Sequence, residues 1–199
     1  MADDNDARTE KARIRAEMRA ELETLDPDQK TDYDQRILER VMSLPSFQTA
    51  SQVFCYLPLA TEVNTMPLVD MLLDVHGAAY VPVTDREAHT LRVAEIVSSD
   101  ELIEGTYGVS EPAEPRFVDP TAIDLWIMPG LAFDERGVRI GQGAGYFDAF
   151  FGAHATSGLK VALAYAFQVV ADVPARNDDV PVDLIVTEND HLICGQPDG

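Results

Sequence analysis

The sequence predicts an α/β layered fold with a mainly parallel sheet, on three observations. Short apolar runs of strand character alternate with segments of helical periodicity. One run, Asp124 to Met128, is mostly apolar, as expected of a strand buried on both faces. Helix caps stand where periodic segments begin and end, at Asp26-Pro27-Asp28 and at Gly77.

In chain order, Asp6 to Leu25 reads as a helix, with Ile14, Met18, Leu22 and Leu25 at helical spacing. A second helix runs from the Asp26 cap to about Ser43. Gln52 to Leu57 reads as a strand, Pro58 to Thr65 as a loop, and Met66 to about His76 as a helix closed by Gly77. Ala78 to Val83 is the next strand, and the alternating Leu91 to Ile96 is expected at a sheet edge. After Asp124 to Met128, helical character returns at Tyr146 to Phe151, and Lys160 to Tyr165 and Asp183 to Thr187 complete the strands. Sheets of this kind bind ligands beyond the C-terminal ends of their strands.

The chain has 199 residues, 46% of them hydrophobic, which suits one domain over 1–199 with a helical segment, 1–45, packed on it. Fifteen Lys and Arg stand against 35 Asp and Glu, a net charge of −20 that disfavours nucleic acid and anionic membranes as partners. Eight of the fifteen cations fall within the first 40 residues; beyond them only Arg86, Arg92, Arg116, Arg136, Arg139, Lys160 and Arg176 are left to hold an anion. The two cysteines lack metal-ligand spacing, and Cys55 lies in an apolar run as an inert buried thiol. An acidic N-terminus without an apolar core, and no stretch long enough to span a bilayer, lead to the expectation of a cytoplasmic protein; monomer is the default.

Three stretches carry more polar information than turns and faces need. Arg8, Lys11, Arg15 and Arg19 form a stripe on the first helix, roughly 60° round from its apolar one at 100° per residue. Such a stripe either leans into a crevice or is a solvated face supported by i,i+4 pairs such as Arg19 with Glu23. Glu62, near the start of the third helix, either caps free N–H groups or faces a site. Finally, Pro129 to Arg139 leads into Gly141-x-Gly143-x-Gly145 and then a helix start. Glycines at alternate positions let backbone N–H groups converge on phosphate oxygens, and the helix dipole adds positive potential. The spacing fits neither a Rossmann fingerprint nor a Walker A loop, and Arg136 and Arg139 stand just upstream. The four histidines show no metal or triad spacing, so hydrolase and zinc chemistry lack support. Asp148 and Asp179 are the best Mg²⁺ candidates.

Pro129-Gly130-Leu131-Ala132-Phe133-Asp134, followed by Gly137-x-Arg139-Ile140-Gly141-x-Gly143-x-Gly145-Tyr146-Phe147-Asp148, resembles the signature of the 5-formyltetrahydrofolate cyclo-ligase family. The resemblance extends to Lys11-x-x-x-Arg15, Glu62-Val63-Asn64-Thr65, Tyr107-Gly108-Val109-Ser110-Glu111-Pro112, and Val173-Pro174 through Asp179 and Asp183 to Glu188. It implies a three-layer sandwich similar to the sugar-phosphate isomerase and CoA-transferase group. It further implies ATP- and Mg²⁺-dependent closure of 5-formyltetrahydrofolate to 5,10-methenyltetrahydrofolate. Position by position, Lys11, Arg15, Arg139 and the segment Gly141, Gln142, Gly143, Ala144, Gly145, Tyr146, Phe147 would hold ATP, with Arg139 and Tyr146 catalytic. Asp148 and Asp179 would hold Mg²⁺, and Leu57, Glu62 and Tyr107 would line the folate site. The chain departs from the family's usual Tyr-Tyr-Asp at Phe147, and from its common residues at Gln142 and Ala144. The alternative to an enzyme is a paralogue that binds folate or nucleotide without turnover.

Overall fold

A computed structural model describes residues 2–105 and 108–195. Its centre is an eight-stranded sheet, counted among the described residues, built around five parallel strands. These are β1 (Val53–Cys55), β2 (Ala79–Asp85), β7 (Leu125–Met128), β10 (Leu159–Leu163) and β11 (Leu184–Val186). Antiparallel strands finish both sides: β3 (Thr90–Ile96) and β6 (Arg116–Phe117) beyond β2, and β12 (His191–Ile193) beyond β11. The expected edge position of the 91–96 strand is therefore corrected: β6 covers it, pairing Glu95 with Arg116 and Ala94 with Phe117. Two short hairpins stand apart from the sheet, β4 (Leu102–Glu104) with β5 (Ser110–Pro112), and β8 (Ala132–Phe133) with β9 (Arg139–Ile140).

Successive side chains of a strand point to opposite faces, and the core divides accordingly. Val53, Cys55, Leu125, Ile127, Val161, Leu163, Leu184 and Val186 pack on one face with three helices. Those helices are α1 (Ala2–Thr24), α2 (Pro27–Ser43) and α4 (Met66–His76). Phe54, Trp126, Met128, Ala162 and Ile185 point the other way, against Phe150 and Phe151 of α5 (Tyr146–Ala153). A mainly parallel sheet flanked by helices on both faces results. It explains why Leu125–Met128 carries no polar residue: all four positions are buried. A short helix the sequence had not signalled, α3 (Pro45–Thr49), links α2 to β1.

The helix signals have clear causes. On α1 the stripe Ile14, Met18 and Leu22 is buried. On α2, Asp26 accepts from the N–H groups of Asp28 and Gln29 at 3.0 and 3.1 Å, an N-cap with Pro27 in the first turn. Gly77 closes α4 at φ 74°. Cys55 is fully buried, and burial pushes its thiol up to about 12, so it is inert at neutral pH. Among the described residues no helix is long and apolar enough to cross a membrane.

Candidate functional site

Beyond the C-terminal ends of β1 and β7 lies a cavity of about 1160 Å³. Tyr56 and Leu57 leave β1 into it, Pro129 and Gly130 leave β7 into it, and the glycine loop and α1 close it. It is large enough for more than one drug-sized ligand, since single-ligand pockets run to about 300–1,000 Å³.

The basic stripe of α1 faces this cavity: Arg8, Lys11, Arg15 and Arg19 all line it. Lys11 Nζ pairs with Asp179 Oδ2 at 2.5 Å, and Arg15 Nε donates to the Gly141 carbonyl at 3.0 Å. Arg19 donates to the Gln142 carbonyl at 2.8 Å and to its side-chain oxygen at 3.2 Å, so it takes Gln142 in place of Glu23. Burial of the apolar stripe alongside fixes this direction. The solvated-face reading is thereby corrected for Lys11 and Arg15, while Arg8 and Arg19 stay exposed at the cavity's edge.

Gly143 (φ 113°) and Gly145 (φ 73°) hold backbone conformations that L side chains rarely adopt. Gly145 is also the N-cap of α5, so the loop delivers its N–H groups at a helix start. A Cβ placed on Gly141 would stand 3.5 Å from Arg139 Nη1, and one on Gly143 3.8 Å from Arg15 Nε. The loop is thus framed by two guanidinium groups. Arg139, on β9, is 5% exposed; its Nη2 donates to Asp148 Oδ1 at 2.9 Å, and its guanidinium lies 5.7 Å from the Phe147 ring centroid. Its Nε is buried and has no hydrogen-bond partner among the described residues. Desolvation draws the group below its ordinary value, while Asp148 and Asp179 oppose that. A buried cation with an unsatisfied donor beside a glycine cradle suits an anionic ligand.

Asp148 Oδ1 also accepts from Val180 N–H at 3.1 Å, and Asp179 Oδ2 from Arg176 N–H at 2.6 Å. Each proposed magnesium carboxylate is thus engaged by a cation and a backbone donor, and both act on Arg139. Among the described residues no group of three or more His, Cys, Asp or Glu could hold a metal by itself. Two carboxylates suit Mg²⁺ held jointly with phosphate oxygens and water, and the donor set fits that mode.

On the other wall stands Glu62, 9% exposed. Its Oε2 accepts from Leu59 N–H at 3.0 Å and its Oε1 from Gln142 Nε2 at 3.2 Å. Burial raises its carboxyl above the ordinary 4.5, against the pull of those two donors. It does not cap α4, whose Met66 N–H is served by Asn64, so the capping alternative is corrected. Leu57 is buried beside it, and Gly141 to Phe147 all reach the cavity, including Ala144. Tyr107 lies outside the described residues. Phe147 packs its ring edge-on to Phe54 at 6.1 Å, so an apolar ring suits its position.

Arg136, the other arginine just upstream of the glycine loop, does not line the cavity. It donates to Asp134 at 2.6 Å, to Asp172 at 2.9 Å and to the Val173 carbonyl at 2.8 Å, away from the cavity lining. Of the cavity-lining residues given no role from the sequence, His89 and Glu111 stand out. His89, at φ 52°, stacks on Tyr146 at 4.6 Å; nothing in its spacing marks it, though strain at a cavity wall often accompanies function. Glu111 accepts from Thr84 N–H at 3.1 Å; its Glu-Pro segment was the available signal.

A model of the 5-formyltetrahydrofolate cyclo-ligase family matches residues 7–188. The 5-formyltetrahydrofolate cyclo-ligase of Escherichia coli K12 is 29% identical, with 85% of this chain and 96% of that protein covered. The mitochondrial 5-formyltetrahydrofolate cyclo-ligase of Arabidopsis thaliana is 28% identical over 200 residues, covering 87% of this chain and 72% of that protein. The solution structure of Aquifex aeolicus 5,10-methenyltetrahydrofolate synthetase superposes with a TM-score of 0.83 at 30% identity, covering 95% of both chains. The glycine loop, the cavity and these likenesses agree: the chain belongs to the 5-formyltetrahydrofolate cyclo-ligase family.

Proposed function

We propose that this protein closes 5-formyltetrahydrofolate to 5,10-methenyltetrahydrofolate at the expense of ATP, releasing ADP and phosphate. The observation that carries the reading is that one cavity joins an anion-suited wall (Lys11, Arg15, Arg139 and the glycine loop) to a wall with the desolvated carboxylate of Glu62. Glu62 offers acceptor oxygens to the N–H edge of a pterin, and Leu57 lines the same side; a contact of Tyr107 with the folate rests on the family resemblance alone. A formamide oxygen is a poor leaving group; transfer of the γ-phosphoryl group to it, with ADP departing, lets N10 of the same folate attack the formyl carbon, and loss of phosphate and of the N10 proton leaves the methenyl bridge. The protein's task is then to orient the two ligands and neutralise charge, with no enzyme nucleophile. Lys11, Arg15 and the backbone from Gly141 to Phe147 hold the phosphates, Arg139 answers the charge on the transferring group, and Tyr146 borders it. Asp148 and Asp179 would hold Mg²⁺, which would supply positive charge to neutralise the phosphates.

We further infer one domain with the N-terminal helices as its integral cover, membership of the sugar-phosphate isomerase and CoA-transferase fold group, a monomer, and a cytoplasmic setting. The test is to mix purified protein with 5-formyltetrahydrofolate and Mg-ATP and follow the methenyl chromophore. Product is expected only with both ligands. ATP binding without product would leave a non-catalytic binding protein, and turnover without ATP would overturn the reading.

A further inference from the structure

The two walls of the cavity are joined by one side chain. Gln142 lies in the glycine loop, yet its amide nitrogen donates to Glu62 across 80 residues of sequence, at 3.2 Å. The oxygen of the same amide accepts from Arg19 on α1 at 3.2 Å, and Arg19 also grips the Gln142 carbonyl at 2.8 Å. A primary amide can accept from a cation and donate to a carboxylate at once, through two ends held in one plane. It therefore relays position from α1 to Glu62 without placing a cation on that carboxylate. The other oxygen of Glu62 is held by Leu59 N–H, so the Gln142 contact completes the fixing of the group.

We propose that Gln142 is a positioning residue that couples the nucleotide half of the site to the folate half; this rests on the function proposed above. Phosphates docking on the loop backbone restrict the loop. Restriction of the loop steadies the Gln142 amide, which holds Glu62 Oε1 in the orientation a folate N–H edge requires. A folate arriving after nucleotide meets a carboxylate already ordered, and the ordering cost is not borne twice. Coupling of this kind is reciprocal: folate tightens nucleotide binding by the same factor.

The test is a binding cycle. The Kd of 5-formyltetrahydrofolate is measured by calorimetry with and without saturating β,γ-imido-ATP and Mg²⁺, in wild type, Gln142→Ala and Gln142→Glu. The alanine variant keeps the backbone carbonyl that Arg19 grips; the glutamate variant keeps an acceptor for Arg19 but removes the donor to Glu62. In wild type the nucleotide is expected to tighten folate binding by about 5-fold or more, the lower range of measured couplings. Both variants should lose that factor, read in each protein as the ratio of its own folate Kd without nucleotide to that at saturating nucleotide, so that a changed nucleotide affinity alone does not mimic the loss. Coupling retained in either variant, or absent from a wild type that binds both ligands, overturns the proposal. A wild type that binds neither ligand overturns the functional reading itself and, with it, this proposal.

Discussion

Arg136 and Arg139 stand on one short segment, either side of the turn at Gly137, and each pairs with an aspartate. Their burial is inverted. The Arg136 side chain is 56% exposed while its partner Asp134 is 1% exposed; the Arg139 side chain is 3% exposed while Asp148 is 25% exposed. Asp134 is the hub of its pair, accepting also from the N–H groups of Arg136, Val138 and Val173 at 3.0 to 3.2 Å. That arrangement ties the β8–β9 turn to the later chain, and the cation adds little beyond it. In the other pair the cation is buried, retains an unsatisfied Nε, and faces the cavity through a carboxylate that solvent and ligand can reach. Scarcity in an acidic chain does not separate the two arginines; which member of each pair is buried, and which donors remain over among the described residues, does.

The largest effect that could break this contrast is at Arg139. Arg139→Ala is expected to lower turnover by about 10²–10³-fold, the usual result of removing one donor to developing charge. Mg-ATP affinity should fall far more than folate affinity by calorimetry. Equal loss of both would make the loop merely structural.

Next comes Asp134→Ala, which strands three backbone donors and a guanidinium. A loss of about 2–4 kcal/mol is expected in denaturant unfolding, with turnover per folded molecule preserved. Unchanged stability would remove Asp134 from the role of hub.

Glu62 sharpens the comparison, since among these carboxylates it is the one held by an amide and a backbone N–H instead of an arginine. Its folded value is raised by burial, so the proton binds the native state more tightly than the unfolded chain. Its contribution to stability is therefore fully present below the unfolded value and lost as pH rises through the raised folded value. Glu62→Gln should unfold at a higher temperature than wild type at pH 7–8, and the difference should vanish as the pH falls below the ordinary 4.5. Scanning calorimetry across that window checks the sign, and a difference that grows in acid would contradict it. The same variant should bind folate more weakly, because an acceptor oxygen becomes a donor.

The smallest effect is assigned to Arg136→Ala: about 1 kcal/mol or less of stability, as for exposed ion pairs, and no change in Mg-ATP affinity. Loss of nucleotide binding there would place Arg136 with Arg139 and dissolve the contrast.

Much of the fold was legible because burial writes itself into periodicity: the stripe Ile14, Met18 and Leu22, the apolar run from Leu125 to Met128, and the Asp26 and Gly77 caps. The site was legible where it is local, in Gly141 to Gly145 and in the direction of Lys11 and Arg15, which the neighbouring apolar stripe fixes. What spacing could not yield are contacts made across the chain. Arg19 choosing Gln142 over Glu23, Gln142 reaching Glu62, and His89 stacking on Tyr146 each join segments that only the sheet order brings together. Nor could it separate Arg136 from Arg139, because burial of the partner is a tertiary property. The covering of β3 by β6 was hidden for a related reason: Arg116-Phe117 is too short to show alternation.

The most direct measurement is the stoichiometry of a single mixture, with methenyl chromophore and released ADP counted together after 5-formyltetrahydrofolate and Mg-ATP are added to the purified protein. One ADP for each methenyltetrahydrofolate, and neither product when one ligand is withheld, is the expected result. ADP released without chromophore, or chromophore formed without ADP, would contradict the joining of the two walls of this cavity in one reaction.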